Sequence, residues 1–224
     1  MSLNIQDLKM LANKSEIKNL WRIKPVNLDS IIEMRAINKN GVISILFKAV
    51  DHDSVESLCF AFEQEALRLN DLGYNIYIVM NEIKPEFAGR SAGDNDILFR
   101  TLLLIDIDRV ETKNPATDDE VEHARLLASE VVSHLTKLGF PEPATVMSGN
   151  GYHIYYPMDN VPNDQEAKVL VQTFLKGLAA KFDNAYVKID TSVFNASRIT
   201  KVLGTIARKG ESSVDRPYRM ARLV

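Results

Sequence analysis

The chain has 224 residues, of which 46% are hydrophobic and 25% charged, and a formal net charge of −3. Those values exclude a disordered chain, and no apolar run approaches the roughly 20 residues that a membrane-spanning helix needs. A single cysteine, Cys59, excludes an intrachain disulfide and a multi-cysteine zinc site, and it fits a reducing, cytoplasmic setting.

The opening M-S-L-N-I-Q-D-L-K lacks the basic-then-apolar layout of a secretory leader, and residues 5–21 predict a weak first helix. I-I-E-M-R-A-I-N (31–38) and V-I-S-I-L-F-K (42–48) flank Asn40 and Gly41, a strong hairpin signal. D-S-V-E at 53–56 has the layout of a helix start, and Gly73 lies where that helix should stop. Y-N-I-Y-I-V-M-N (74–81) reads as a strand, and residues 83–96 as the longest loop and the break between two lobes. I-L-F-R-T-L-L-L-I-D-I-D (97–108) is a further strand.

T-D-D-E at 117–120 opens a second helix, in which Val121, Ala124, Ala128, Val131, Leu135 and Leu138 recur at helical spacing before Gly139. A-T-V-M-S (144–148) and Y-H-I-Y-Y-P (152–157) read as strands, and N-D-Q-E at 163–166 opens a third helix. A-Y-V-K-I-D (185–190), I-T-K-V-L-G-T (199–205) and Y-R-M-A-R-L-V (218–224) complete the strands. Short connections between several of them predict an α+β fold with antiparallel hairpins rather than a doubly wound parallel sheet. The last strand runs to the final residue, so the chain is expected to be the catalytic piece of a longer protein.

Charge is uneven. Residues 188–224 hold Lys188, Arg198, Lys201, Arg208, Lys209, Arg216, Arg219 and Arg222 against Asp190, Glu211 and Asp215, an excess an anionic ligand would feel. L-L-L-I-D-I-D (102–108) carries the most specific local chemistry. A continuous apolar run reads as a buried strand, and its period of two sets Asp106 and Asp108 on one face, about 6–7 Å apart. Two like charges at the edge of a core raise a carboxyl pKa unless a cation joins them, and oxygen ligands favour Mg²⁺ or Mn²⁺. Such a pair serves haloacid-dehalogenase-type phosphatases, metal-dependent glycosyltransferases and nucleotidyltransferases. The first usually places it near the N-terminus, whereas 105 residues precede Asp106 here.

S-G-N-G-Y-H (148–153) is neither a Rossmann fingerprint nor a Walker A loop. It reads as a tight turn in which Gly149 and Gly151 can take positive φ and expose N–H groups, flanked by Ser148 and His153. Phosphate oxygens would suit such a place, although His153 taken alone reads first as a structural histidine. V-K-I-D (187–190) repeats the strand ending in an acid at Asp190, and Arg198 and Lys201 follow. A third acid with nearby cations is what a two-metal triphosphate site requires.

The ordered set D-I-D, S-G-N-G-Y-H and K-I-D followed by N-A-S-R-I-T-K-V-L-G-T resembles the archaeo-eukaryotic primase (AEP) superfamily, chiefly its primase-polymerase branch. The resemblance covers roughly residues 81–222. It implies an RRM-like palm (about 96–224) packed with a smaller N-terminal α/β lobe (about 1–95), together one catalytic unit. It implies that Asp106, Asp108 and Asp190 hold two Mg²⁺ or Mn²⁺ ions, that Ser148 and His153 contact nucleotide phosphates, and that Arg198 binds the triphosphate. Lys201, Asn81 and Arg90 are added as nucleotide-binding candidates. The implied activity is a DNA primase-polymerase acting on a single-stranded DNA template, a primer strand and dNTP or NTP, with further domains or replication proteins as partners. Asp51, His52 and Asp53, the helical His123 and His134, and Trp21 read as structural or solvated. Tyr77, Tyr155 and Tyr156 read as core before base-stacking residues. A nucleotide-sugar glycosyltransferase and a silent nucleotide- or single-strand-binding module stay open as alternatives.

Overall fold

A computed structural model describes residues 13–110 and 113–224. Residues 5–12 of the expected first helix lie outside the described residues; residues 13–17 are helical, followed by α1 (Leu20–Ile23). β1 (Ile31–Asn38) and β2 (Gly41–Lys48) form the expected hairpin, ending with Asn38 opposite Gly41. Gly41 has φ 137°, a conformation that a side chain would oppose, so glycine there fixes the turn. α2 (Val55–Asp71) and β3 (Asn75–Val79) follow, and the first sheet has the order β2-β1-β3-β9, with β9 (Ile199–Lys201) at one edge. Ile32, Met34, Ala36, Phe47, Ile76 and Ile78 on one face pack with Leu58, Phe62, Ala66 and Leu69 of α2.

The second sheet contains β4 (Glu82–Ile83), β5 (Ile97–Arg109), β6 (Ala144–Met147), β7 (Tyr152–Pro162) and β12 (Arg222–Leu223) in the order β12-β6-β7-β5-β4. β8 (Val187–Ile189) also pairs with β5, beside its C-terminal half. Every strand pair is antiparallel, as the short connections predict. α3 (Asp118–Lys137) and α4 (Gln165–Phe182) supply Ala124, Leu127, Val131, Leu135, Val171 and Leu175 to the core under Ile105, Ile107 and Ile154. Full burial of each such large aliphatic side chain stabilises the fold by about 1.5–3 kcal/mol. Among the described residues, no helix is long and apolar enough to cross a membrane.

Several boundaries differ from expectation, among them the strands expected at 185–190 and 199–205, which shorten to Val187–Ile189 and Ile199–Lys201. α2 and α4 are capped by Ser54 and Asp164, one residue later than the sequence pattern suggests, because those side chains accept from the N–H groups of Ser57 and Ala167. The strand expected at 218–224 breaks at Ala221, whose N–H donates to Thr205, leaving β11 (Arg219–Met220) to pair with β10 (Ile206–Ala207). The division near residue 95 is crossed twice: β4 pairs with β5 and β9 pairs with β3. Those pairings are long-range, and local periodicity carries no trace of them.

Candidate active site

The site begins with the register of β5. Asp106 lies opposite His153 of β7, and Asp108 opposite Lys188 of β8. The N–H of Asp190 donates to the Asp106 carbonyl at 2.8 Å. Paired positions share a face, so Asp106, Asp108 and His153 present their side chains together. They line a cleft of about 410 Å³ that is closed on the other side by Ile37, Asn75 and Tyr77 of the first sheet. Ser148, Asn150, Arg198, Lys201, Arg208 and Lys209 are among the other polar residues that line it.

His153 is buried and fully engaged. Its Nε2 lies 3.4 Å from Asp106 Oδ1, and its Nδ1 is 2.9 Å from the Tyr155 hydroxyl, which in turn meets Thr200. Burial disfavours the charge on Asp106, but His153, Arg198 and Lys209 outweigh it and hold the carboxyl below the usual carboxylate range. Asp108 goes the other way: burial, then the neighbouring Asp106 charge, push its carboxyl up. Its carboxylate accepts no hydrogen bond among the described residues. Two carboxylates on one face, one of them charged only at a cost, are a donor set that suits a hard divalent cation.

Asp190 is adjacent through the backbone, but its Oδ1 accepts from Ser192 N–H. No group of three His, Cys, Asp or Glu side chains stands at metal-holding spacing among the described residues. Asp190 is not among the residues that line the cleft, and the turn after β8 engages one oxygen of its carboxylate.

The glycine turn differs in detail from its sequence reading. Only Gly149 has positive φ, at 109°, and its N–H faces Met147 Sδ rather than the cleft. Gly151 is needed for space: a Cβ there would stand 2.2 Å from the Ile107 carbonyl and 3.0 Å from Asp108 Oδ1. Asn150, which sequence reasoning missed, ties the turn to the segment before α3 and to the end of β5 by accepting from Ala116 N–H at 2.9 Å and from Arg109 at 3.4 Å.

Arg198 donates to the Ser192 carbonyl, while its buried Nε has no hydrogen-bond partner. Arg208 likewise leaves Nη1 buried and unpartnered. Lys201 is buried, its Nζ donating to the Ile206 carbonyl at 3.1 Å and standing 5.5 Å from the centre of the Tyr77 ring. Burial, with Arg208 adding to it, pushes its ammonium down to about 7.

Two other candidates are placed elsewhere. Asn81 is wholly buried and does not line the cleft; it donates to Ala196 and accepts from the N–H groups of Thr101 and Leu102. Arg90 is exposed on the loop before β5. The basic C-terminal stretch is also less free than its composition suggests. Arg216 pairs with Glu120 and Arg219 with Asp118, both acids of the first turn of α3.

Two solved structures share this fold. The AEP domain of the cyanophage S-2L primase-polymerase matches with a TM-score of 0.53 at 17% identity, over 94% of this chain and 89% of that one. The primase RepB' matches with a TM-score of 0.51 at 12% identity, over 95% of this chain and 56% of that one, so the chain spans little more than half of that primase. No protein-family model matches the chain, and no curated protein matches it in sequence. Over nearly its whole length, the chain has the fold of AEP primase-polymerase domains.

Proposed function

We propose that the cleft is the active site of a template-directed nucleotidyltransferase, in which a primer 3′-hydroxyl attacks the α-phosphate of a dNTP or NTP and pyrophosphate leaves. The observation that carries this reading is one cleft holding an acid pair, Asp106 and Asp108, together with Arg198, Arg208, Lys209 and His153. That arrangement matches a substrate carrying both a metal-bound phosphate and further anionic groups. Asp106 and Asp108 would hold Mg²⁺ or Mn²⁺, with Asp190 joining once its side chain leaves Ser192. The cations would supply charge neutralisation at the attacking and leaving oxygens.

The protein's own contribution is positioning. Arg198 and Arg208 line the cleft and would offer guanidinium N–H groups to the outer phosphates, and fixed cations in a partly closed cleft would hold the chain of phosphates in line. Ser148 adds a hydroxyl at the turn. His153 keeps Asp106 ionised and oriented through Nε2; its contact with phosphate would require that it exchange this partner. Lys188, Lys209 and Arg222 are the cations of the C-terminal stretch proposed to meet the backbone of a single-stranded DNA template, with salt-sensitive affinity.

The test is product formation from primed and unprimed single-stranded DNA with Mn²⁺ or Mg²⁺, dNTPs or rNTPs, and Asp106→Ala as control. Products from the unprimed template that disappear in the variant identify primer initiation. Extension of the primed template alone identifies a polymerase that needs a start. No metal-dependent product on either template overturns the reading. The position of the Asp190 carboxylate, bound to its own turn, favours a second reading, a binding module without chemistry; nucleotide binding that survives Asp106→Ala without any product would support it.

A further inference from the structure

The cationic wall of the cleft depends on a segment with a strand neighbour on one edge only. β10 pairs with β11, placing Ala207 opposite Arg219. Among the described residues, no strand lies along its other edge, toward which Ile206 and Arg208 turn their N–H and C=O groups. Two asparagine side chains stand there instead. Asn70, near the end of α2, donates to the Ile206 carbonyl at 3.0 Å and accepts from the Ile206 N–H at 2.8 Å. Asn75, at the start of β3, makes the same pair of bonds to Arg208, each 2.7 Å.

The spacing explains the arrangement. Backbone groups two residues apart point to the same strand edge, and a primary amide carries a donor and an acceptor that reproduce one step of a ladder. The two asparagines therefore replace a missing strand. Behind the segment, Ala207 packs so close to Gly149 that a Cβ on that glycine would stand 2.4 Å from the Ala207 Cβ. The Ile206 carbonyl also accepts from Lys201. Residues 206–208 are thus fixed from both sides, and they carry Arg208 and Lys209 into the cleft.

We infer that Asn75, assisted by Asn70, is a positioning residue for anion binding: it holds the backbone of Arg208 so that Arg208 and Lys209 face the ligand phosphates. The inference rests on the reading of the cleft as a polyphosphate site. Asn75 lines the cleft, but one donor and one acceptor of its amide are taken by Arg208, so its effect passes through that residue.

Titration calorimetry of the full chain with inorganic tripolyphosphate tests it without reference to catalysis. Asn75→Ala should weaken binding about tenfold in the wild-type background and by distinctly less, about threefold, in an Arg208→Ala background, where only its hold on Lys209 remains. Equal weakening in both backgrounds, or none in either, overturns the inference. Failure of the wild-type chain to bind tripolyphosphate overturns the underlying reading of the cleft instead. A second measurement needs no variant. The Arg208 amide should exchange its hydrogen at least about tenfold more slowly than the amide of exposed Glu211, and more slowly still with tripolyphosphate present. Exchange as fast as at Glu211 sinks the inference even if Asn75→Ala does not fold.

Discussion

The two walls of the cleft are built by different means. The acid wall is a stretch of regular sheet: β5 lies between β7 and β8, and ladder register alone sets Asp106 beside His153 and Asp108 beside Lys188. The cationic wall is irregular. Arg198 precedes a three-residue edge strand, and Arg208 and Lys209 follow a two-residue one that is completed by side-chain amides. A ladder distributes its hold over many backbone bonds, whereas the cationic wall relies on a few named contacts. The acid wall should therefore tolerate loss of its side chains structurally, and the cationic wall should be sensitive to residues that never touch ligand.

The largest effect expected of this contrast is at Asp108. Burial and Asp106 both disfavour its charge, so the ionised carboxylate costs the fold stability that an amide would not. Asp108→Asn should abolish metal-dependent activity by about a thousandfold or more, several kcal/mol of lost charge stabilisation. Melting of the same variant should stay level or rise, by about 2–4 °C for each kcal/mol of relieved repulsion. A fall in melting temperature would break the claim that this wall is held by register.

Next in size is Arg208→Ala. Removing a guanidinium with a buried, unpartnered nitrogen should weaken tripolyphosphate binding about thirtyfold, in the range of one charged hydrogen bond, and flatten its salt dependence. An unchanged affinity would leave Arg208 as a structural residue and assign anion binding to Arg198.

Lys201 supplies a smaller effect with a definite sign. Its folded pKa, about 7, lies below the ordinary lysine value. Above pH 7 the folded chain therefore binds fewer protons than the unfolded one, and this group's contribution to stability rises with pH between about 7 and 10.5; below 7 both states are charged and its contribution is flat. Anion binding follows the opposite course, because the cleft loses a positive charge as pH rises. The ratio of wild-type to Lys201→Met affinity for tripolyphosphate, in which the ligand's own ionisation cancels, should fall roughly three- to tenfold between pH 6 and 8. A ratio that stays constant would place the titration elsewhere.

The same contrast explains what the sequence made legible. Period-two alternation in L-L-L-I-D-I-D was enough to set the acid pair on one face, and Asn40 and Gly41 were enough for the first hairpin. Thr117 and Glu120 form the expected reciprocal cap at the start of α3. Neither the return of β9 to the first sheet nor the service of Asn70 and Asn75 to residues 206–208 leaves a local signature, since the partners are 120–124 residues apart in the first case and 136 and 133 in the second. The engagement of Asp190 with its own turn was equally hidden, because an Asp followed two residues later by a serine reads the same whether its carboxylate faces a metal or the backbone.

Asn81 brings the two walls together and gives the smallest effect on ligand binding. The pairing of β5 with β7 shifts register between Arg100 and Leu102, and Asn81 Oδ1 accepts from both Thr101 and Leu102 at that irregularity. Its Nδ2 donates to Ala196, two residues before Arg198, so one buried amide braces the acid strand and the root of the cationic wall. Asn81→Ala would leave two N–H groups and one carbonyl short of a partner, at a cost of about 1–3 kcal/mol for each group that water cannot reach. Chemical denaturation should record that loss, while tripolyphosphate affinity of the folded variant stays within about twofold, because its bonds reach neither Arg198 itself nor residues 206–208. A larger loss of affinity than of stability would mean that the shift in β5 sets the spacing of the walls, and that the brace, rather than either wall alone, tunes the site.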